Sequence, residues 1–207
     1  MTEKRPKRMT LAEHDALLKS EGRYEAMVER QREREQEREN RAAEWRRAEA
    51  ALVEDLRAAG YQVQSVWDLV NTPGSYPRAV PILLAHLPRP YPGPVREGIA
   101  RALAVPEARV GWDVLTRLYR EERDKRAKDG LAVAIAAVAD DAVIDDLITL
   151  TRDARHGPSR LLLLSALERS ADARARIALM DLRTDPEVEK EIRVILRRNR
   201  DSKPRRG

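Results

Sequence analysis

Val95-Arg96-Glu97-Gly98-Ile99-Ala100-Arg101-Ala102-Leu103 returns as Ala127-Lys128-Asp129-Gly130-Leu131-Ala132-Val133-Ala134-Ile135, and again as Ser159-Arg160-Leu161-Leu162-Leu163-Leu164-Ser165-Ala166-Leu167, with 32 residues between starts. A base holds the second position of each copy (Arg96, Lys128, Arg160) and a large aliphatic the fifth (Ile99, Leu131, Leu163). Ala stands at the eighth position and an aliphatic at the ninth. Self-similarity at this period is the mark of stacked helix pairs, because one pair cannot bury its apolar face alone and packs against copies of itself.

The helices that precede these copies align too. Val80, Leu84 and Leu87 match Gly111, Leu115 and Leu118, then Val143, Leu147 and Leu150, then Ala175, Leu179 and Leu182, at offsets of 31, 32 and 32. A fourth second helix is predicted over 187–197, with Asp185-Pro186 placing Pro at its first position. The pairs therefore span about 76–105, 106–139, 140–170 and 171–199, with Pro88-Arg89-Pro90-Tyr91-Pro92-Gly93-Pro94 and His156-Gly157-Pro158 as corners. The expected fold class is all-α: a right-handed α-solenoid of about four helix pairs, preceded by a long charged N-terminal helix.

Upstream, Thr10 with Glu13 forms a capping box that opens a short helix, closed near Gly22. Residues 23–59 read as one long helix without Gly or Pro, and Glu29 to Arg41 holds no apolar side chain. Opposite charges at i,i+3 (Arg30/Glu33, Arg32/Glu35, Arg34/Glu37, Arg41/Glu44) would each contribute only about 0.2–0.5 kcal/mol. Without an a/d seam, a coiled coil is not expected. Trp45, Ala48, Leu52 and Leu56, with Val53, form a late apolar stripe able to dock on the first helix pair, ended by Gly60. Ser65 and Asp68 form a second capping box. The organisation expected is a basic N-terminal segment (1–22), the charged and docking helices (23–74), the repeat domain (75–199) and a basic, disordered tail (200–207).

Pro81 within a first helix, then Val95-Arg96 followed by Ala100, Ala102 and Leu103, resembles the HEAT-repeat family over about 75–199. The fourth repeat departs from the pattern, with Glu189 where the base stood, as an end cap does. The resemblance implies a solenoid that binds partners on a concave face lined by second helices. It implies no catalytic activity. A few HEAT-like solenoids resemble bacterial alkylpurine DNA glycosylases, which use an Asp flanked by aromatics, and Trp67-Asp68 and Trp112-Asp113 are the residues to compare.

Composition narrows the chemistry. The chain of 207 residues has 42% hydrophobic side chains, enough for a core, and no cysteine, which removes disulfides, thiolate nucleophiles and thiolate metal sites together. No apolar run approaches the roughly 18 residues that span a bilayer, so a cytoplasmic address is expected. His14, His86 and His156 lie in different elements without metal-ligand spacing, and no phosphate-cradling Gly loop or nucleophile elbow occurs. Neither metal, cofactor nor enzymatic activity is therefore expected. Asp140-Asp141 and Asp145-Asp146 read as helix-start carboxylates, placed to complement the dipole.

Two features remain as binding candidates. The row Arg96, Lys128 and Arg160, with Arg101 nearby, could contact phosphates or an acidic partner, but the resemblance to HEAT-like arrays favours inter-repeat hydrogen bonds with carboxylates at this position. Val133, Leu161 and Leu162 lie in helices apolar on nearly every side, which either are buried all round as central helices or line a groove for a partner's helix or for the chain's own N-terminal helix. The expected function is thus a non-enzymatic adaptor that binds a protein partner. The alternative is a nucleic-acid-associated protein tethered by Lys4, Arg5, Lys7 and Arg8 and by the tail residues Arg197, Arg198, Arg200, Lys203, Arg205 and Arg206. That tail, with six bases and one acid, carries as much net charge as the whole chain, +5.

Overall fold

The computed structural model describes residues 10–20 and 22–201, and every regular element among them is helical. Contacts divide the chain into two units, Met1–Arg46 and Arg47–Gly207.

In the first unit, α1 (Leu11–Ser20) opens with the expected capping box: the Glu13 amide donates to Thr10 Oγ1, and the Thr10 amide to Glu13 Oε2 at 2.8 Å. Next comes α2 (Tyr24–Ala48), exposed at every residue from 29 to 41. Its ion pairs differ from those read in the sequence. They join Glu29 to Arg32 (3.8 Å) and Glu37 to Arg41 (4.0 Å), with the acid on the N-terminal side. Helical Cα–Cβ bonds tilt toward the N-terminus, so a long Arg reaches back to the acid one turn earlier more readily than forward.

The second unit begins with a departure from the expected single helix over 23–59. The chain breaks at Glu49 (φ −85°, ψ 0°), and α3 (Ala50–Ala58) follows. Glu49 is buried, and its Oε2 accepts from Ser65 Oγ (3.1 Å) and from the Val66 amide (3.0 Å), the first residue of α4 (Val66–Val70). A carboxylate at that helix start satisfies an orphan N–H and sits favourably in the dipole. Ser65 and Asp68 complete the expected box on α4. Of the expected docking stripe, Leu52, Val53 and Leu56 are buried but Trp45 and Ala48, which precede the break, are only half-buried, and Gly60 closes α3 with φ +95°.

Four helix pairs follow: α5 (Ala79–His86) with α6 (Gly93–Ala102), α7 (Trp112–Glu121) with α8 (Lys125–Val138), α9 (Ile144–Arg152) with α10 (Arg160–Arg169), and α11 (Ala173–Asp181) with α12 (Glu189–Asp201). Short 3-10 turns lead into α7, α9 and α10. The last helix starts at Glu189, two residues later than read, because the Asp185 carboxylate instead accepts the Glu187 amide and shapes the corner.

The members of each pair pack on one another, and second helices pack in series, α6 on α8, α8 on α10 and α10 on α12. The series begins one step before the predicted repeats, since α4 packs on α6 and α3 on α5. All nine residues at the fifth, eighth and ninth positions of the repeated segment are buried, from Ile99 and Leu103 to Ala166 and Leu167. The α6 and α8 helices approach closely because Gly130 lies against the α6 backbone, where an added Cβ would stand 2.9 Å from the Glu97 carbonyl oxygen. No described helix is long and apolar enough to cross a membrane.

Candidate interaction surfaces

The three bases of the repeated row stand at the start of second helices, and each lies near a carboxylate in the next corner. Arg96 in α6 lies against Glu122, at the end of α7. The Oε1 atom of Glu122 is already engaged, accepting the amides of Arg123 and Asp124, each at 2.8 Å. Its buried Oε2 meets Arg96 Nη2 through charge rather than an aligned hydrogen bond, and Arg96 Nε has no hydrogen-bond partner among the described residues.

Arg160 is the most enclosed member. Only 1% exposed, it uses all five N–H donors: Nε to the Gly157 carbonyl, Nη1 to the Thr151 carbonyl and Asp185 Oδ2 (2.7 Å), Nη2 to Asp185 Oδ1 and Glu187 Oε2. Gly157 adopts φ +59°, a backbone conformation open to Gly, in the corner where its carbonyl takes Arg160 Nε. Burial opposes the Arg160 charge, but the Asp185 and Glu187 bonds outweigh it and raise its pKa, while Arg160 holds Asp185 below the ordinary carboxylate value. Arg160 was a candidate partner-binding residue. In the structure it is an internal rung between layers, because its guanidinium matches two carboxylates and two carbonyls at once.

The middle rung differs. Asp153 occupies the corner that corresponds to Glu122 and Asp185, and it too accepts a downstream amide, from Arg155. Its carboxylate is taken by the Arg155 guanidinium (2.6 Å), which holds its pKa far below the ordinary value. Lys128 instead lies over the Tyr119 ring, 5.0 Å from the centroid, and donates to the Glu122 carbonyl. Burial depresses its pKa, against the pull of Glu122 and Asp153. Behind it, the Tyr119 hydroxyl hydrogen-bonds Ser159 Oγ at 3.1 Å, and burial pushes Tyr119 up to about 12. The buried His156 packs its ring 4.6 Å from that of Tyr119, and burial, then Lys128, lowers its pKa.

The corner carboxylates were missed in the sequence, although a signal exists. They follow their bases by 26 residues (Arg96 to Glu122), 25 (Lys128 to Asp153) and 25 (Arg160 to Asp185). Arg101 pairs along its own helix with Glu97 at 2.9 Å. The apolar candidates are more open: Val133 and Leu161 are half-buried, and Leu162 is exposed.

The remaining candidates hold structure together. The Asp68 carboxylate accepts the Gln64 and Ser65 amides as a cap, and buried Trp112 donates from Nε1 to Asp146 Oδ2 at 3.2 Å. Asp140 caps its turn through the Ala142 amide and pairs with Arg109. His86 is buried between the Asp55 carboxylate, 2.8 Å from Nε2, and the Tyr91 hydroxyl, 2.6 Å from Nδ1. No group of three His, Asp or Glu among the described residues could hold a metal ion. Of the tail, Arg198 pairs with Glu168 and Glu191. Arg197 is exposed, and Lys203, Arg205, Arg206 and the Arg200 side chain lie outside the described residues, as do Lys4, Arg5, Lys7 and Arg8.

These shifts set a pH dependence. Asp140, Asp153, Asp172 and Asp185 all titrate below their ordinary 3.8 because arginines hydrogen-bond to them, so their stabilisation is complete above that value and is lost as pH falls through the lower folded values. His156, lowered from 6.5, must be charged against burial in acid, which also favours the unfolded chain as pH falls below 6.5. Urea midpoints measured against pH should therefore decline below about 6.5 and more steeply below about 4. A midpoint that rises on acidification would contradict these assignments.

Comparison with protein-family models, curated proteins and solved structures gives no match for this chain.

Proposed function

We propose that residues 75–199 form a short, right-handed α-solenoid of four HEAT-like helix pairs, and that the protein is a non-enzymatic adaptor whose partner docks on the face lined by second helices. The serial packing of α6, α8, α10 and α12 supports the solenoid reading. The observation that carries the adaptor reading is apolar surface on two successive second helices: Val133 of α8 and Leu161 and Leu162 of α10 retain exposure while their neighbours Leu131, Leu163 and Leu164 are buried. Such a strip suits the apolar ridge of a partner helix. With two of the three row bases engaged by carboxylates, shape and apolar contact rather than charge would dominate this face.

The test is recovery of the tagged full-length chain from its native cell, with nuclease treatment and a high-salt wash, beside a Leu162→Asp variant. The adaptor reading expects a stoichiometric protein that survives both treatments and is lost with the variant. Recovery of nucleic acid alone, released by nuclease or salt, would replace it with the tether reading, because phosphate contacts weaken steeply with salt. A protein retained equally by the variant would remove Leu162 from the site.

A further inference from the structure

From the uncovered face of the last helix pair we infer a second docking site, for an acidic amphipathic helix of another protein. A groove of about 440 Å³ runs between α11 and α12, lined by Met180 and Leu196 and by four arginines, Arg176, Arg183, Arg193 and Arg197. Met180 is 47% exposed, and Ile177 and Val194, on the same two helices, are similarly open. Elsewhere in the unit the large apolar side chains of paired helices are mostly buried, so this open apolar surface sets the α11–α12 pair apart among the described residues.

The covered layers show what chemistry suits such a face. Arg96 meets Glu122, Arg109 meets Asp140, Arg152 meets Asp181, and Arg160 meets Asp185 and Glu187, each acid belonging to the layer that follows. Arg174 and Arg198 reach back in the opposite sense, to Asp145 and Glu168. Arg183 stands 31 residues after Arg152, at the same stage of its pair. On this last face Arg193 pairs with Glu189 of its own helix, but Arg176, Arg183 and Arg197 meet no carboxylate among the described residues. The pattern of base on one layer and acid on the next is left half complete.

That combination selects the occupant. An apolar floor needs an apolar ridge, and three unmatched guanidinium groups need carboxylates beside it, which together describe an amphipathic helix with an acidic border. The same face of a second copy would set arginine against arginine. The exposed 29–41 stretch of α2 has no apolar residue to fill the floor, and residues 202–207 are themselves basic. A nucleic acid would answer the charge and leave Met180 and Leu196 without a partner. The groove shares no lining residue with the strip of Val133, Leu161 and Leu162, and the proposal does not rest on the adaptor reading.

The experiment is a fluorescence-anisotropy titration of the full chain with a labelled helix-forming peptide carrying Leu at i, i+3, i+4 and i+7 and Glu on both flanks. Saturable binding is expected, weakened at least about tenfold by Met180→Asp and by the double change Arg176→Glu and Arg183→Glu. A peptide of equal charge with Ala for Leu should bind at least about tenfold more weakly. A charge-swapped Lys peptide should bind the double variant better than the unaltered chain. These side chains are exposed, so the circular dichroism melts of both variants should match that of the parent, and Leu162→Asp should leave the titration unchanged. Absence of saturable binding, or equal affinity for the Leu and Ala peptides, would overturn the proposal. So would a single-stranded DNA that displaces the peptide and responds to the arginine changes but not to Met180→Asp.

Discussion

Replacing Arg160 with Met should lower the unfolding free energy by about 3 kcal/mol, the lower end of what removing one member of a buried ion pair costs. Met retains the apolar stem, so the loss reports the guanidinium. Five hydrogen bonds disappear together, and the Thr151 and Gly157 carbonyls lose a donor in a corner that is mostly closed to water. The effect stays at the lower end because the Asp185 and Glu187 side chains, 21% and 41% exposed, recover some hydration. Arg160→Lys should be nearly as damaging, since an ammonium has three donors and cannot reproduce the planar fork. Urea unfolding would decide it. A loss below about 1 kcal/mol would mean that the Arg160 rung resembles a surface pair rather than a structural tie.

Gly130→Val should cost a comparable amount, about 3 kcal/mol, by a different route. The nearest obstacles to a Cβ are the Glu97 carbonyl oxygen and Cα, with the Ala100 methyl 3.2 Å away. Backbone atoms of a packed helix cannot rotate aside as a flexible side chain can, so α6 and α8 must separate. That separation would loosen the series at its middle, because α8 also carries α10. The control is Ala137→Val at an exposed site of the same helix, which should lose only about 0.5 kcal/mol through helix propensity. If the two variants unfold at the same urea concentration, the close approach of α6 and α8 has no energetic weight.

Much of the helical framework was legible because it depends on neighbours in sequence. The Thr10/Glu13 and Ser65/Asp68 boxes join groups three residues apart, and the buried positions of the 32-residue repeat follow from one face of each helix being apolar. Glu49 was not legible. It lies in a run that satisfies every local rule for a continuous helix, and its role comes from Ser65 and Val66, 16 and 17 residues away. The same holds for the basic row, whose spacing was plain and whose meaning was not.

Apart from the break at Glu49 and the start of α12, the sequence alone therefore determined which segments are helical and which face of each is apolar, since these depend on periodicity and on groups a few bonds apart. Only the tertiary structure decided that Arg160 is enclosed, that Lys128 yields its carboxylate to Arg155, and that Arg176, Arg183 and Arg197 gather around an open apolar groove. Whether a charge is buried, paired or free depends on what another layer places within about 4 Å of it, and that distance is a property of packing rather than of spacing along the chain.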